Sequence, residues 1–310
     1  MLIRRYFKGK KWEQSLYSKL PEVKIDPEIL GEVEKVDISI LIDYYTENSS
    51  FIGEPGVSYF IKTNDTSILF DTGFNKKKEE PSPLIRNAEK MGIKIPNDVD
   101  AVVISHLHLD HVGGMKNQLK KRFSVSKKAV DFNGKTAYSP VKINHPTADI
   151  VINNCPTLLN KGILLTDPLP AMLFFMGRTL EQAIVINLKN KGLVVIVGCG
   201  HQKIDRLLDY LEKLIPIKVY AIVGGIHFPI TESREKILNL QMQKFVGSGK
   251  PPWGRITKEE LASLIKYLKK REVKKVAISA HDSCDYTLKQ FKTNWGNNYI
   301  EVKVGKTISL

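Results

Sequence analysis

The sequence predicts a mixed α/β fold, read from three observations. Short apolar runs alternate with segments whose apolar residues recur at helical spacing. The opening runs follow one another across tight turns, as an antiparallel sheet requires, whereas the later ones are each followed by a helical segment. Four of the runs end in a small or glycine-rich segment that leads at once to a histidine, at His106, His201, His227 and His281. Strand ends along one edge of an α/β sheet form its ligand-binding rim, so these histidines are expected to converge.

Taken in order, residues 1–35 mix charge with Pro21, Pro27 and Gly31 and show no sustained period; they read as an N-terminal extension that wraps the domain or is partly mobile. A single domain is expected over 36–310. Strands are predicted over Asp37 to Tyr45, Val57 to Lys62 and Ser67 to Phe70, with a hairpin turn at Asn64-Asp65. Leu84, Ile85, Ala88 and Met91 lie at helical spacing over Pro83 to Met91, and Gly92 ends that helix. Ala101 to Ser105 is the strand that feeds His106, and a short helix begins at about Met115. Residues 120–180 hold Pro140, Pro146, Pro156, Pro168 and Pro170 and the run Met172-Leu-Phe-Phe-Met176. They read as a lid or insertion of short strands and loops.

Order returns with strands at Ala183 to Leu188 and Leu193 to Val197, followed by a helix with Ile204, Leu207, Leu208, Leu211 and Leu214 on one face. Lys218 to Val223 repeats that unit, with a helix expected from about Arg234 to Phe245. Thr257-x-x-Glu260 is a capping box for the helix Lys258 to Lys270. A strand over Val276 to Ser279 precedes His281, and Tyr299 to Val304 is the last strand expected.

Composition narrows the function classes. No apolar run nears the roughly 18 residues of a membrane helix, and Met1-Leu-Ile-Arg-Arg-Tyr-Phe-Lys-Gly-Lys-Lys lacks a secretory h-region, so a cytoplasmic protein without a membrane partner is expected. Cys155, Cys199 and Cys284 are odd in number and form no C-x-x-C pair, which argues against a disulfide framework. A formal charge of +14 is compatible with nucleic acid, an acidic membrane surface or a small anionic substrate such as a phosphate ester, and charge alone does not choose among them; a small anionic substrate is the partner expected, nucleic acid less so. The basic runs are scattered and no basic-aromatic stripe appears. The oligomeric state is left open, a dimer included.

The chemistry concentrates in His106-Leu-His108-Leu-Asp110-His111. Residues at i and i+2 leaving a strand point the same way, so His106 and His108 can share one ion, while Asp110 and His111 can reach a second. Imidazole and carboxylate suit zinc, manganese and iron; two divalent metal ions, zinc foremost, are the expected cofactors. With its flanking Ser105 and Gly113-Gly114, this motif resembles the metal motif of the metallo-β-lactamase superfamily.

That resemblance implies a four-layered αββα sandwich and a two-metal site. It assigns His106, His108 and His201 to the first ion, and Asp110, His111 and His281 to the second. It gives Asp71, in Asp71-Thr-Gly73, the task of orienting a ligand histidine from beneath. The superfamily's Gly-Asp bridge appears here as Gly198-Cys199: either the Cys199 thiolate takes the aspartate's place, or Cys199 is buried and inert and His201 or His227 compensates from the same rim. His145 reads as a surface residue, with a substrate contact as the alternative.

Further stretches, Ile68-Leu-Phe-Asp-Thr-Gly73, Asn87-Ala-Glu-Lys-Met-Gly-Ile93, Val223-Gly-Gly-Ile-His227 and Val304-Gly-Lys306, look like the dihydropterin ribofuranosylaminobenzene-phosphate synthase-like branch of metal-dependent hydrolases. Glu54-Pro-Gly-Val-Ser58 and His281-Asp-Ser-Cys284 depart from that branch's Glu-His-Gly-Leu-Ser and His-Cys-Thr-Gly. The resemblance implies a metal-dependent hydrolase or transferase acting on a phosphorylated small molecule, a phosphoester, phosphodiester or dihydropterin diphosphate. Asp110 would be ligand and orienter of the attacking water, and lysines of the 120–180 lid would hold the anionic end. A ribonuclease-type metallohydrolase and a metal-holding sensor without turnover are the competing readings.

Overall fold

Two β-sheets face each other between two helical layers, because alternate residues of their strands carry apolar side chains to opposite faces. A computed structural model describes residues 1–20, 23–231, 236–237, 240–241 and 249–310. The first sheet sets β1 (Asp37–Ile42), β2 (Ser58–Lys62), β3 (Ser67–Phe70), β4 (Ala101–Val103), β5 (Thr136–Ser139) and β6 (Asp149–Ile152) side by side. The second holds β7 (Thr157–Asn160), β8 (Ile163–Leu165), β11 (Ile184–Leu188), β12 (Gly192–Val197), β13 (Val219–Gly224) and β16 (Lys275–Ile278), in that order. Between β8 and β11 the chain makes a separate hairpin of β9 (Leu169–Leu173) and β10 (Gly177–Glu181).

The layers follow from the side-chain alternation. Ile68 and Phe70 of β3 face Val194 and Ile196 of β12 across the sandwich, in one buried cluster with Ile38, Ile40, Tyr59, Ile184 and Val223. Leu69 and Val102 point the other way, onto Leu84 and Ala88 of helix α3 (Pro83–Lys90). Leu193, Val195 and Val197 do the same on the second sheet, packing on α5 (Ile204–Leu214), α6 (Lys258–Lys270) and α7 (Asp285–Trp295). The result is the αββα sandwich that the sequence predicts.

Topology sets the rim. β3, β4, β5 and β6 are mutually parallel, as are β12, β13 and β16. Within each sheet, therefore, the C-terminal ends of these strands lie on one edge, and the loops that leave them carry His106, His201, His227 and His281.

Several expectations need correction. Residues 1–35 are not without regular structure: Leu2–Tyr17 forms helix α1, which packs on β9 and β10 with Tyr6, Gly9 and Glu13 buried, and α2 (Pro27–Leu30) follows, capped by the Asp26 carboxylate. Most of 120–180 is sandwich rather than lid, since β5 and β6 extend the first sheet and β7 and β8 the second; α4 (Met115–Leu119) leads into it. Of the helix expected over Arg234 to Phe245, only Lys236–Ile237 (β14) and Leu240–Gln241 (β15) are described, and they pair antiparallel; the rest lies outside the described residues. The last strand is β17 (Thr307–Ser309), on the outer edge of β1, whereas Tyr299 and Val304 make only isolated bridges.

Candidate metal centre

The loop after β4 begins under tight backbone control. Asp71, at the end of β3 with φ 59°, accepts the Ser105 backbone N–H on Oδ1 at 2.7 Å and the Ser105 hydroxyl on Oδ2 at 2.6 Å. The same Oδ2 lies 2.7 Å from Nδ1 of His111. Ser105 Oγ also stands 2.9 Å from His106 Nδ1. One buried carboxylate thus fixes the ring direction of His111 directly and that of His106 through a hydroxyl. Their Nε2 atoms are left facing inward.

His106, His108 and His201 meet edge-on, with ring centroids 4.5 Å apart for His106–His108 and 4.9 Å for each of the other two pairs. His108 Nδ1 approaches His201 Nε2 to 3.1 Å, and its Nε2 lies 3.3 Å from the Thr179 hydroxyl. Asp110, His111, Cys199 and His281 offer donor atoms that all lie within 4.8 Å of one another, and so do His106, Cys199 and His201. Cys199 belongs to both groups: its Sγ is 3.1 Å from His111 Nε2 and 3.5 Å from His281 Nε2. His281 Nε2 in turn sits 3.0 Å from Asp110 Oδ2. A third group joins Cys199 to His227 and Asp282.

Glycines let these loops approach. A Cβ on Gly198 would collide with Ser105 Oγ, and one on Gly225 would collide with Gly198 O and an Asp282 oxygen. Neither position tolerates a side chain without moving a metal-site loop.

Burial and charge set the ionisation. Burial, reinforced by neighbouring imidazoles, holds His106 and His201 well below the usual histidine range and pushes His108 down to about 4. These three are neutral at physiological pH, the form that ligates metals. Burial works in the same direction on His281, but the Asp110 hydrogen bond and charge outweigh it and raise that imidazole to about 9. His111 is likewise raised, burial being overcome by Asp71 and Asp110. Burial would raise Asp110, yet His111 and His281 hold it below the usual carboxylate range. Burial and the surrounding carboxylates push the Cys199 thiol well up.

A divalent cation fits this donor set. His106 Nε2 and His201 Nδ1 are buried without a hydrogen-bond partner. Such orphaned nitrogens are costly in a protein interior, and a cation among imidazoles, a carboxylate and a thiol would relieve the His106 atom directly.

The structure brings His106, His108, Asp110, His111, Cys199, His201, His227 and His281 to one rim, with Asp71 beneath them. It keeps His145 away. That ring stacks on Phe123 at 4.5 Å, and its Nδ1 accepts the backbone N–H groups of Thr147 and Ala148, so it pins a loop.

Three residues escaped the sequence reading. Glu181, fully buried at the end of β10, accepts the backbone N–H groups of Cys199, Gly200 and His201 at 2.8–2.9 Å and so clamps the loop that carries two candidate ligands. Burial raises its carboxyl to about 7 against those hydrogen bonds. Asp43 accepts the Ser279 hydroxyl at 2.7 Å, and Ser279 Oγ takes the His281 backbone N–H at 3.1 Å. Asp282 accepts the His227 N–H at 3.1 Å. Apart from the Ser279–His281 bond, none of these contacts is local in sequence; only Asp282, beside His281, carried any signal.

Comparison with known proteins accords with this geometry. The sequence model described as the Metallo-beta-lactamase superfamily matches residues 52–132. The chain is 24% identical over 270 residues to the 7,8-dihydropterin-6-methyl-4-(beta-D-ribofuranosyl)-aminobenzene-5'-phosphate synthase of Methanocaldococcus jannaschii, covering 74% of this chain and 90% of that one. Its fold is similar to that of a crystal structure described as a metal-dependent hydrolase of the beta-lactamase superfamily, with TM-score 0.58, 22% identity, and 88% and 98% of the two chains covered. The metallo-beta-lactamase fold protein YhfI from Bacillus subtilis is also similar, with TM-score 0.53, 13% identity, and 89% and 100% covered.

Proposed function

We propose that this chain, which matches the metallo-β-lactamase superfamily model over residues 52–132 and shares the fold of a metal-dependent hydrolase of that superfamily, is a metal-dependent hydrolase with a two-ion site, acting on a phosphorylated small molecule. The observation that carries this reading is the position of Cys199, whose sulfur is shared by two groups of donors: His106 and His201, and Asp110, His111 and His281. His106, His108 and His201 would hold one ion, Asp110, His111 and His281 the other, and the Cys199 sulfur would lie between them in place of a carboxylate. Zinc is favoured by the imidazole-thiol set. Bound divalent ions supply hydroxide at neutral pH and stabilise charge developing on a phosphoryl oxygen.

The chain's own residues do the rest. Asp71 engages Nδ1 of His111, so that Nε2 is the ring atom left for a ligand. Glu181 holds the 199–201 loop through three amide hydrogen bonds, and Asp43 with Ser279 holds the loop before His281. Asp110, 3.0 Å from His281 Nε2, would be the group that orients a water. The lysines assigned to the 120–180 segment do not line the cavity beside His201; its cations are Lys10, Lys203, Arg206 and Lys250, and that segment contributes Met172 and Leu173.

A synthase reaction, as the name of the Methanocaldococcus jannaschii relative states for that protein, is the second reading, favoured by a match that spans 90% of that protein. A panel of aryl phosphodiesters and dihydropterin diphosphates, assayed with zinc, manganese and iron, separates the two. Hydrolysis abolished by His108→Ala supports the first reading; turnover that needs an arylamine co-substrate supports the second; full activity in His108→Ala would overturn both.

A further inference from the structure

A group of large apolar side chains that stand in solvent comes from separate segments of the chain and meets at one place. They are Ile3 and Phe7 of α1, Phe175 and Met176 at the turn between β9 and β10, and Trp253 of the loop before α6. Ile3 is 51%, Phe7 58% and Trp253 67% exposed, so none of them serves the core. Ring contacts join them through the buried Tyr6 and Phe174: Phe7 lies against Tyr6, Tyr6 against Phe174, and Phe174 against both Phe175 and Trp253, with centroids 4.9–5.7 Å apart. The Arg5 guanidinium donates to the Phe175 carbonyl at 2.8 Å and ties the helix to the turn. Exposed apolar side chains gathered in this way mark an interaction surface.

Charge narrows what it meets. α1 turns Tyr6, Gly9 and Glu13 inward. Its outer side carries Ile3 and Phe7, four residues apart, beside an exposed stripe of Arg4, Lys8 and Lys11 at i, i+4 and i+7. Glu13 is the only acid of α1, and Lys10 and Arg206 already hold it. Among the described residues, Arg4, Lys8 and Lys11 have no ion-pair partner. The complement of this surface is therefore anionic and also accepts apolar side chains. A second copy of the chain meets the second condition only, because a two-fold contact would set the cationic stripe against itself. A nucleic acid meets the first only, since Ile3 and Met176 offer no ring on which a base can stack. An anionic lipid surface meets both, with phosphates at its plane, acyl chains beneath, and a boundary at which aromatic side chains settle.

We propose that α1, the β9–β10 turn and Trp253 dock this protein on an anionic lipid surface, with Ile3, Phe7, Phe175, Met176 and Trp253 dipping between headgroups that Arg4, Lys8 and Lys11 engage. The attachment is peripheral and reversible, as a few buried side chains and a few charges provide. It amends the expectation of no membrane partner, which rested on the lack of a spanning segment and did not concern surfaces. It is independent of the hydrolase reading.

The test is co-sedimentation of the full chain with vesicles of phosphatidylcholine alone or mixed equally with phosphatidylglycerol, at low and at high salt. Binding to the mixed vesicles that weakens with salt is expected, about 100-fold tighter than to the neutral ones, as three cations near an anionic surface provide. Lys8→Ala should lower it about fivefold and Phe7→Ser about tenfold. Lys213→Ala and Ile152→Ser, which remove an exposed lysine of α5 and an exposed isoleucine of β6, should leave it unchanged. Tryptophan emission should shift to the blue on binding, and Trp253→Phe should lose that shift. No binding to the mixed vesicles, or binding indifferent to Phe7→Ser and Lys8→Ala in folded proteins, overturns the proposal. So does a different occupant: an oligonucleotide bound where vesicles are not and lost in Lys8→Ala, or a dimer that Phe7→Ser disperses in a protein that binds no vesicles.

Discussion

Cys199 Sγ lies 3.1 Å from His111 Nε2, at the place where the donors of two potential metal positions meet. A thiol buried among Asp110, Asp282, Glu181 and Asp71 resists ionisation, because each carboxylate adds unfavourable negative charge next to a thiolate. Two divalent cations would reverse that balance, since a coordinated thiol is deprotonated outright. Cys199→Ala is accordingly expected to lower bound metal by about one equivalent and activity by about 100-fold or more, whereas Cys199→Asp, with a bridging carboxylate, should retain both metals. Elemental analysis of the purified variants checks this; full metal content in Cys199→Ala would remove the sulfur from the site.

Asp71→Asn leaves the shape of the pocket but removes an acceptor that serves Ser105 and His111 together. The expected cost is about 10–100-fold in metal affinity or activity, the usual size for losing a carboxylate behind a ligand histidine. Competition with a zinc chelator measures it.

Asp43 gives a pH signature. Burial raises its carboxyl from the ordinary 3.8 to about 6 in the folded chain, against hydrogen bonds from Ser279 and the Tyr44 backbone. A folded-state value above the unfolded one means that the stabilisation is complete below about pH 4 and is lost as pH rises through about 6. Asp43→Asn should therefore gain stability relative to wild type across that window, by no more than about 3 kcal/mol. Urea midpoints measured from pH 4 to 7 test it, a constant difference between the two proteins being the contrary result.

Glu13→Gln should loosen α1. The substitution removes a buried negative charge that serves the Met172 N–H, Arg206 and Lys10. A loss of about 1–3 kcal/mol is expected, with faster proteolytic cleavage before residue 20. Unchanged protection of α1 would mean that Tyr6 against Phe174, centroids 5.3 Å apart, suffices to hold it.

What could be read in the sequence was what is local. His106, His108, Asp110 and His111 fall within six residues, and the strands that carry His201, His227 and His281 announce themselves by apolar runs ending in small residues. Helix α1 was hidden because its buried face is Tyr6, Gly9 and Glu13, only one of them a large apolar residue. Helix α7 was missed as well, its buried residues being Thr287, Phe291 and Trp295. Residues 120–180 misled because β5 to β8 are three or four residues each and divide between two sheets, so that no period is sustained. Glu181 accepts a backbone N–H 18 residues away and Asp43 a hydroxyl 236 residues away, through contacts that only the folded chain creates.

Metal content tests the central claim most directly. The chain purified without chelator, analysed by inductively coupled plasma mass spectrometry, should carry about two equivalents of divalent transition metal per chain, falling to one or fewer in His108→Ala, as a two-ion hydrolytic site requires. A wild-type protein that holds no such metal while hydrolysing aryl phosphodiesters, or a His108→Ala protein with full content, would contradict it.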